Sequence, residues 1–343
     1  MTRQRMDRQH RVSLAGRLSA AIGVAVLATG AVPSAAGAHP VRQYRAIDLG
    51  IPGMVQAMND RGDAVGVGEF TLNLRRPFLW RDGRLTDLGQ LTPAAEGRGE
   101  ATDINNAGQV VGRSSIGSKE PPIDDQAFIW RDGVMTALGV PGRDSRADGI
   151  NDRGQVVGTS DPGTDPHAFL WQRGSVTDLG PGFAWDIDNR GRVAGARLDG
   201  QGHTIPCVWY GGRVSDLSLG SSAQGQARAI NNRGWTVGTG WREVEGGLDQ
   251  RGYLWRSGPA IDLGHLGVGE TVPADVNDRG QIVGMTGLNN VDDPIPFLWH
   301  GGKMTNLAEH GVTAGYLTAV NNRGELGGSI RYPDGESLAA VYR

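Results

Sequence analysis

An all-β chain folded as a seven-bladed β-propeller, with four antiparallel strands in each blade, is predicted by three observations. A turn signature, Asn-x-x-Gly or once Asp-x-x-Gly, recurs seven times. Each copy lies between short apolar runs of strand length. The repeats also start and stop part-way through a unit, and the two partial units complement each other.

The turns are Asn59-Asp60-Arg61-Gly62, Asn105-Asn106-Ala107-Gly108, Asn151-Asp152-Arg153-Gly154, Asp188-Asn189-Arg190-Gly191, Asn231-Asn232-Arg233-Gly234, Asn277-Asp278-Arg279-Gly280 and Asn321-Asn322-Arg323-Gly324. Their final glycines are 46, 46, 37, 43, 46 and 44 residues apart. Asn and Asp tolerate turn conformations and glycine supplies a positive φ, so each reads as a β-hairpin turn.

Strand one precedes the turn, as in Ala101-Thr102-Asp103-Ile104, and strand two follows it, as in Gln109-Val110-Val111-Gly112. Strand three carries an aromatic, an aliphatic and a tryptophan: Phe78-Leu79-Trp80, Phe128-Ile129-Trp130, Phe169-Leu170-Trp171, Tyr253-Leu254-Trp255 and Phe297-Leu298-Trp299. Cys207-Val208-Trp209 is a degenerate copy, and Tyr342 takes the tryptophan's place in the seventh. A glycine follows, then strand four, ending as in Thr86-Asp87-Leu88-Gly89 or Thr177-Asp178-Leu179-Gly180. Aromatic and β-branched residues bounded by glycine are strand signals. Tryptophans this regular are read as packing between blades, not as a sugar-binding stripe.

Tyr44 to Gly50 reads as a fourth strand, and Leu338 to Arg343 as a third. The N-terminal strand is therefore expected to complete the C-terminal blade and close the ring, hiding two raw sheet edges. An open solenoid would not explain why the ends match.

Residues 1–38 read differently. Five arginines precede an apolar run from Leu18 to Val32, followed by Ala36-Gly37-Ala38. That order is a secretory signal peptide, and the run is short of the roughly 20 residues of a membrane span. Residues 39–343 are then one propeller domain with 29 basic and 36 acidic residues, a net of −7. This balance argues against nucleic acid as a partner. Cys207 is the only cysteine, so no internal disulfide is available and a hydrophobic core must carry the stability. No later segment is apolar enough to span a membrane.

His167-Ala168-Phe169-Leu170-Trp171, with Thr177 to Gly180 and Ala147 to Gly158, resembles the extracellular HAF repeat family, named for its His-Ala-Phe triplet. The resemblance covers about residues 44–343, although only one copy keeps all three letters. It implies an exported bacterial repeat protein and no catalytic residues.

Both kinds of tight turn share one face of the predicted ring, and the longer connections share the other. These long loops fall near 68–77, 113–126, 159–167, 196–206, 239–252, 285–296 and 329–338. Several carry acids: Asp124, Asp125, Asp161, Asp165, Glu243, Glu245, Asp249, Asp292 and Asp293. Variable loops on a rigid frame are where binding concentrates. Trp241, placed on such a loop, and Trp185, on an inner strand, break the tryptophan pattern and are candidate ligand contacts. Asp103, Asp186 and Asp275 lie two residues before the turn Asn or Asp in repeats two, four and six. They are read either as channel-facing ligand groups or as acceptors for neighbouring backbone amides. No nucleophile elbow, zinc-protease motif or metal-ligand histidine spacing occurs, and no cofactor is expected. The sequence thus points to a secreted binding scaffold for a glycan, wall polymer or extracellular protein at the long-loop face. The competing expectation is a polysaccharide lyase or hydrolase with acids near the channel.

Overall fold

The computed structural model describes residues 42–343 except 72–73, 93–97, 117–123, 164, 221–223, 245–246, 268 and 288–293. The chain divides into Met1–Pro40 and Val41–Arg343. The expected signal peptide therefore lies outside the described residues, as do Glu245, Asp292 and Asp293.

Among the described residues the elements are strands, with one 3-10 turn at Leu307–His310. Repeat 1 holds β1 (Ala46–Met58), β2 (Ala64–Thr71), β3 (Leu74–Arg81) and β4 (Arg84–Asp87). Repeat 2 holds β5 (Gly99–Ile104), β6 (Val110–Ser115), β7 (Asp125–Arg131) and β8 (Val134–Ala137). Repeat 3 holds β9 (Asp144–Ile150), β10 (Val156–Asp161) and β11 (His167–Gln172). The long β12 (Ser175–Ile187) leads into repeat 4, with β13 (Val193–Leu198), β14 (Thr204–Tyr210) and β15 (Arg213–Asp216). Repeat 5 holds β16 (Gln224–Ile230), β17 (Thr236–Val244), β18 (Gly247–Trp255) and β19 (Ile261–Asp262). Repeat 6 holds β20 (Thr271–Val276), β21 (Ile282–Thr286), β22 (Ile295–His300) and β23 (Lys303–Asn306). Repeat 7 ends the chain with β24 (Ala314–Val320), β25 (Leu326–Arg331) and β26 (Ser337–Tyr342).

All the pairings are antiparallel, in three four-stranded and two seven-stranded sheets. The two larger sheets arise because β1 and β12 each serve two units. Ser175 to Pro181 of β12 pairs with β11, whereas Gly182 to Ile187 pairs with β13. This continuous strand replaces a connecting loop and explains the short 37-residue spacing at repeats 3 and 4. In β1, Ala46 to Asp48 pairs with Tyr342 to Ala340 of β26, and Gly53 to Met58 pairs with β2.

One expected loop is a hairpin instead. Across 239–252, β17 and β18 extend their ladder, and Trp241 sits opposite Gln250 and Gln224. Trp241 is a strand residue because Thr236, Val237, Thr239 and Trp241 favour pleated backbone over a mobile tip.

The strand-three aromatics carry the core between neighbouring repeats. Trp171 packs with Val111 and Ile129, Trp209 with Val157 and Ala168, Trp299 with Val237 and Leu254, and Trp80 with Ala339 and Val341. Tyr342 completes a cluster with Val283, Leu298 and Leu307. Cys207 is buried in this layer as a free thiol, and burial pushes it up to about 12, which leaves it inert.

Each inner strand contains a β-bulge, and β24 has a second register shift between Ala314 and Tyr316. The register slips between Val55 and Ala57, Ala101 and Asp103, Ala147 and Gly149, Ala184 and Asp186, Ala227 and Ala229, Pro273 and Asp275, and Leu317 and Ala319. Opposite each of these seven slips stands a strand-two glycine: Gly66, Gly112, Gly158, Gly195, Gly238, Gly284 or Gly328. A Cβ at any of these would run into a carbonyl oxygen of the inner strand. The repeated glycine is therefore the steric condition for the bulge.

Candidate functional site

A bulge leaves one residue unpaired and re-aims its side chain. Here the extra residues are Gln56, Thr102, Asp148, Trp185, Arg228, Ala274 and Thr318, and all seven line one central polar cavity of about 280 Å³. Two of them are consumed by structure. Thr102 donates its hydroxyl to the Ala147 carbonyl at 2.7 Å, and Thr318 donates to that of Val55 at 2.7 Å. Successive repeats 3, 4 and 5 supply Asp148, Trp185 and Arg228, an acid, an aromatic and a cation side by side.

The Arg228 guanidinium lies 5.5 Å from the Trp185 ring centre, and the Phe183 ring stacks on Trp185 at 5.6 Å. Arg146 holds Asp148 at 2.6 Å and reaches Glu100 at 3.8 Å, while Arg113 bridges Glu100 and Asp125 at 3.1 and 3.0 Å. Asp148 and Trp185 also border a second cavity of about 320 Å³, walled by Arg113, Arg146, Asp161 and Phe183. That cavity opens where strand one begins, at the long-connection end. Burial pushes the Asp148 carboxyl up to about 7, with Arg146 opposing and Glu100 reinforcing the rise. Burial and Arg146 pull the Arg228 guanidinium below its usual value, with Asp148 opposing.

Asp103, Asp186 and Asp275 line the same central cavity but act as clips between repeats. Asp103 accepts from its own neighbour Ile104 and, in the next repeat, from Ile150, both at 2.7 Å. Asp186 does the same with Ile187 and Ile230, and Asp275 with Val276 and Val320, at 2.7 to 2.8 Å. A carboxylate with both oxygens on amides is a structural acceptor first. Although they belong to alternate repeats, the three carboxyls feel one another. Burial, with Asp103 and Asp275 adding repulsion, pushes Asp186 up to about 8 against the pull of its amides. Asp103 is raised to about 7 and Asp275 to about 6, again mainly by burial.

These raised values set the sign of a pH effect. A carboxyl that holds its proton more tightly folded than unfolded loses stability as pH rises past its unfolded value and through its folded one. The melting temperature should therefore fall as pH is raised from about 5 to about 8.5. Melts across that range test this, and a flat or rising profile would refute it.

At the tight-turn end the seven turns are hydrogen-bonded in sequence. The amide of the first turn Asn reaches the corresponding carbonyl of the next turn: Asn59 to Asn105, Asn105 to Asn151, Asn151 to Asp188, Asn231 to Asn277, Asn277 to Asn321, and Asn321 to Asn59. Asp188 has no amide to donate, so it holds Arg192, which donates to the Asn232 carbonyl instead. A second series runs through the next turn position. The backbone N–H of Asp60, Asn106, Asp152, Asn189, Asn232, Asp278 and Asn322 each donates to the side chain of the following member, and Asn322 donates to Asp60.

Of the residues singled out from sequence, the structure brings Trp185 and the three clipping aspartates to the central cavity. Trp241 lies apart on its hairpin. Asp148 and Arg228 were missed. Their signal was positional: the residue three before the turn Asn or Asp varies in chemistry while its neighbours repeat. Among the described residues no group of three or more His, Cys, Asp or Glu is placed to hold a metal, and no helix is long and apolar enough to cross a membrane.

No family model and no curated protein matches the sequence. Solved structures do. The β-propeller domain of the Trilobed protease from Pyrococcus furiosus, titled as having an open velcro topology, aligns with a TM-score of 0.58 at 9% identity. The alignment covers 85% of this chain and 93% of that one. A puromycin-hydrolyzing peptidase of Mycobacterium tuberculosis aligns at 0.52 and 13% identity, covering 88% of this chain and 49% of that one. The chain thus spans about half the length of that peptidase. At such identities the likeness carries the fold alone: the chain is a β-propeller, built from antiparallel sheets of four to seven strands.

Proposed function

We propose that this protein is a secreted propeller scaffold that binds a glycan or wall polymer at the long-connection end of its channel. In this reading residues 1–38 direct export, the repeats belong with the bacterial HAF-repeat proteins, and seven blades close into a ring through β1 and β26. The β1–β26 pairing and the return of the turn series from Asn321 and Asn322 to repeat 1 support the ring.

The observation that carries the binding reading is the adjacency of Asp148, Trp185 and Arg228 on three consecutive bulges, beside a cavity open to the long-connection end. An acid, a cation and the Phe183–Trp185 pair around one cavity make a polar-ligand site with one apolar wall. Arrays of glycans and isolated wall polymers provide the test. Trp185→Ala and Arg228→Ala should each weaken the bound ligand at least about 10-fold, the equivalent of about 1.4 kcal/mol. Ala274→Ser, elsewhere on the same cavity, should leave it unchanged. Equal binding by all three variants would remove the site.

Asp148 supports a second reading. A buried carboxyl raised to about 7 suits a general acid in a polysaccharide hydrolase or lyase. Release of oligosaccharide from a bound polymer, abolished by Asp148→Asn while binding persists, would establish it.

A further inference from the structure

The tight-turn end carries a charge pattern that net charge conceals. The third turn residue is arginine in six of seven repeats: Arg61, Arg153, Arg190, Arg233, Arg279 and Arg323. All six are exposed. Their backbone N–H groups hold the turns, as when Arg61 donates to Asn59 Oδ1 at 3.0 Å, so their guanidinium groups are not needed for the turn. Among the described residues only Arg323 of the six has a carboxylate partner, Glu325 at 2.7 Å. The acids of the same turns are buried or hydrogen-bonded instead. Asp63, Asp188 and Glu325 are buried, and Asp60, Asp152 and Asp278 accept from the asparagine amides beside them.

Because each unit is antiparallel, the hairpin between strands three and four opens at this same end. It adds exposed Arg84, Arg131, Arg173, Arg213, Arg256 and Lys303, against exposed Asp82 and Asp132. Two large apolar side chains stand among these outer turns, Tyr210 at 57% exposed and Val134 at 63%. Trp235, partly buried, lies between Arg233 and Arg256, whose guanidinium carbons are 5.8 and 5.3 Å from its ring centre.

We infer that the tight-turn face docks onto an anionic lipid bilayer. The six arginines sit at equivalent points of one hydrogen-bonded series of turns, so they share a level rather than line a cleft. A linear polyanion needs a groove to track along, and the depression at the centre of this face is ringed by Asp60, Asp152 and Asp278, which would repel it. A flat surface of many phosphates fits the arrangement, with Tyr210 and Trp235 suited to the headgroup level. Docked this way, the face would leave the opposite, ligand-binding end directed away from the membrane.

The test uses the full chain and its Arg190→Gln/Arg233→Gln/Arg279→Gln variant, with phosphatidylcholine vesicles that either contain or lack phosphatidylglycerol. Each arginine near an anionic surface contributes about 1 kcal/mol, so the triple variant should bind phosphatidylglycerol vesicles about 100-fold more weakly. Added salt should weaken wild-type binding, and binding to pure phosphatidylcholine should not respond to the substitutions. Equal binding of both chains to the anionic vesicles would overturn the inference. So would retention on heparin without any response to anionic vesicles, which would give the face to a soluble polyanion. An unchanged thermal melt of the variant separates lost binding from lost folding.

Discussion

Gly158→Ala is expected to cost at least about 3 kcal/mol, a large share of the roughly 5–15 kcal/mol that stabilises a typical domain. Gly158 in β10 faces the bulge of β9, and a Cβ there would enter the Arg146 carbonyl oxygen and crowd the Ala147 Cα. Both obstacles are backbone, so no rotamer change relieves the clash. The strands must separate, and with them the ladder that aims Asp148 into the cavity. The control is Gly200→Ala, where nothing lies within 4 Å of the added carbon and φ is not positive. That change should be neutral or slightly stabilising, by under about 1 kcal/mol. Denaturant melts of the two variants decide the matter. A Gly158→Ala chain as stable as Gly200→Ala would show that the bulge does not depend on the glycine.

The repeat was legible because every unit solves the same packing problem. Asn-x-x-Gly, Gly-x-Val-Val-Gly and Phe-Leu-Trp each have a local physical meaning, so strand order and turn ends followed from the sequence. The site was only partly legible. Trp185 stood out by breaking a pattern. Asp148 and Arg228 did not, because a bulge is a pairing relation between two strands and has no one-strand signature. Asp103, Asp186 and Asp275 were visible as a set, yet their partners Ile150, Ile230 and Val320 belong to the next repeat. The arginine at the third turn position was present in the sequence, but a net of −7 over residues 39–343 averages over two ends of opposite character. The histidine of the His-Ala-Phe triplet has a comparable explanation. His167 meets Asp178 at 2.9 Å, and Arg76 meets Asp87 at 3.2 Å in its own repeat, whereas Gln126, Ile205 and Ile295 take the position elsewhere, so the repeat does not depend on histidine there.

Deleting Arg42–Gly50 should convert a cooperatively folding chain into an aggregation-prone one, the largest effect expected of any surface-strand change. The deletion removes the pairs Ala46 with Tyr342, Ile47 with Val341 and Asp48 with Ala340. It also removes the bonds from Tyr44 N to the His310 carbonyl and between Arg45 and Arg343, at 2.8 to 3.0 Å. Tyr44 leaves the cluster that includes Leu307, Val312 and Tyr342, forfeiting about 2 kcal/mol of burial. What remains is β26 paired only at Leu338, with Pro52, and its open edge lies next to a depleted core, a template for pairing with another chain. Size-exclusion chromatography and thermal melts read the outcome. A synthetic peptide spanning Arg42–Gly50 should restore the elution of the intact chain by adding a strand in trans, which excludes a generally damaged fold as the cause. A deleted chain that elutes and melts like the intact one would mean that β1 does not hold the last repeat to the first. The placement of Asp148, Trp185 and Arg228 around a common cavity would then need another source of rigidity.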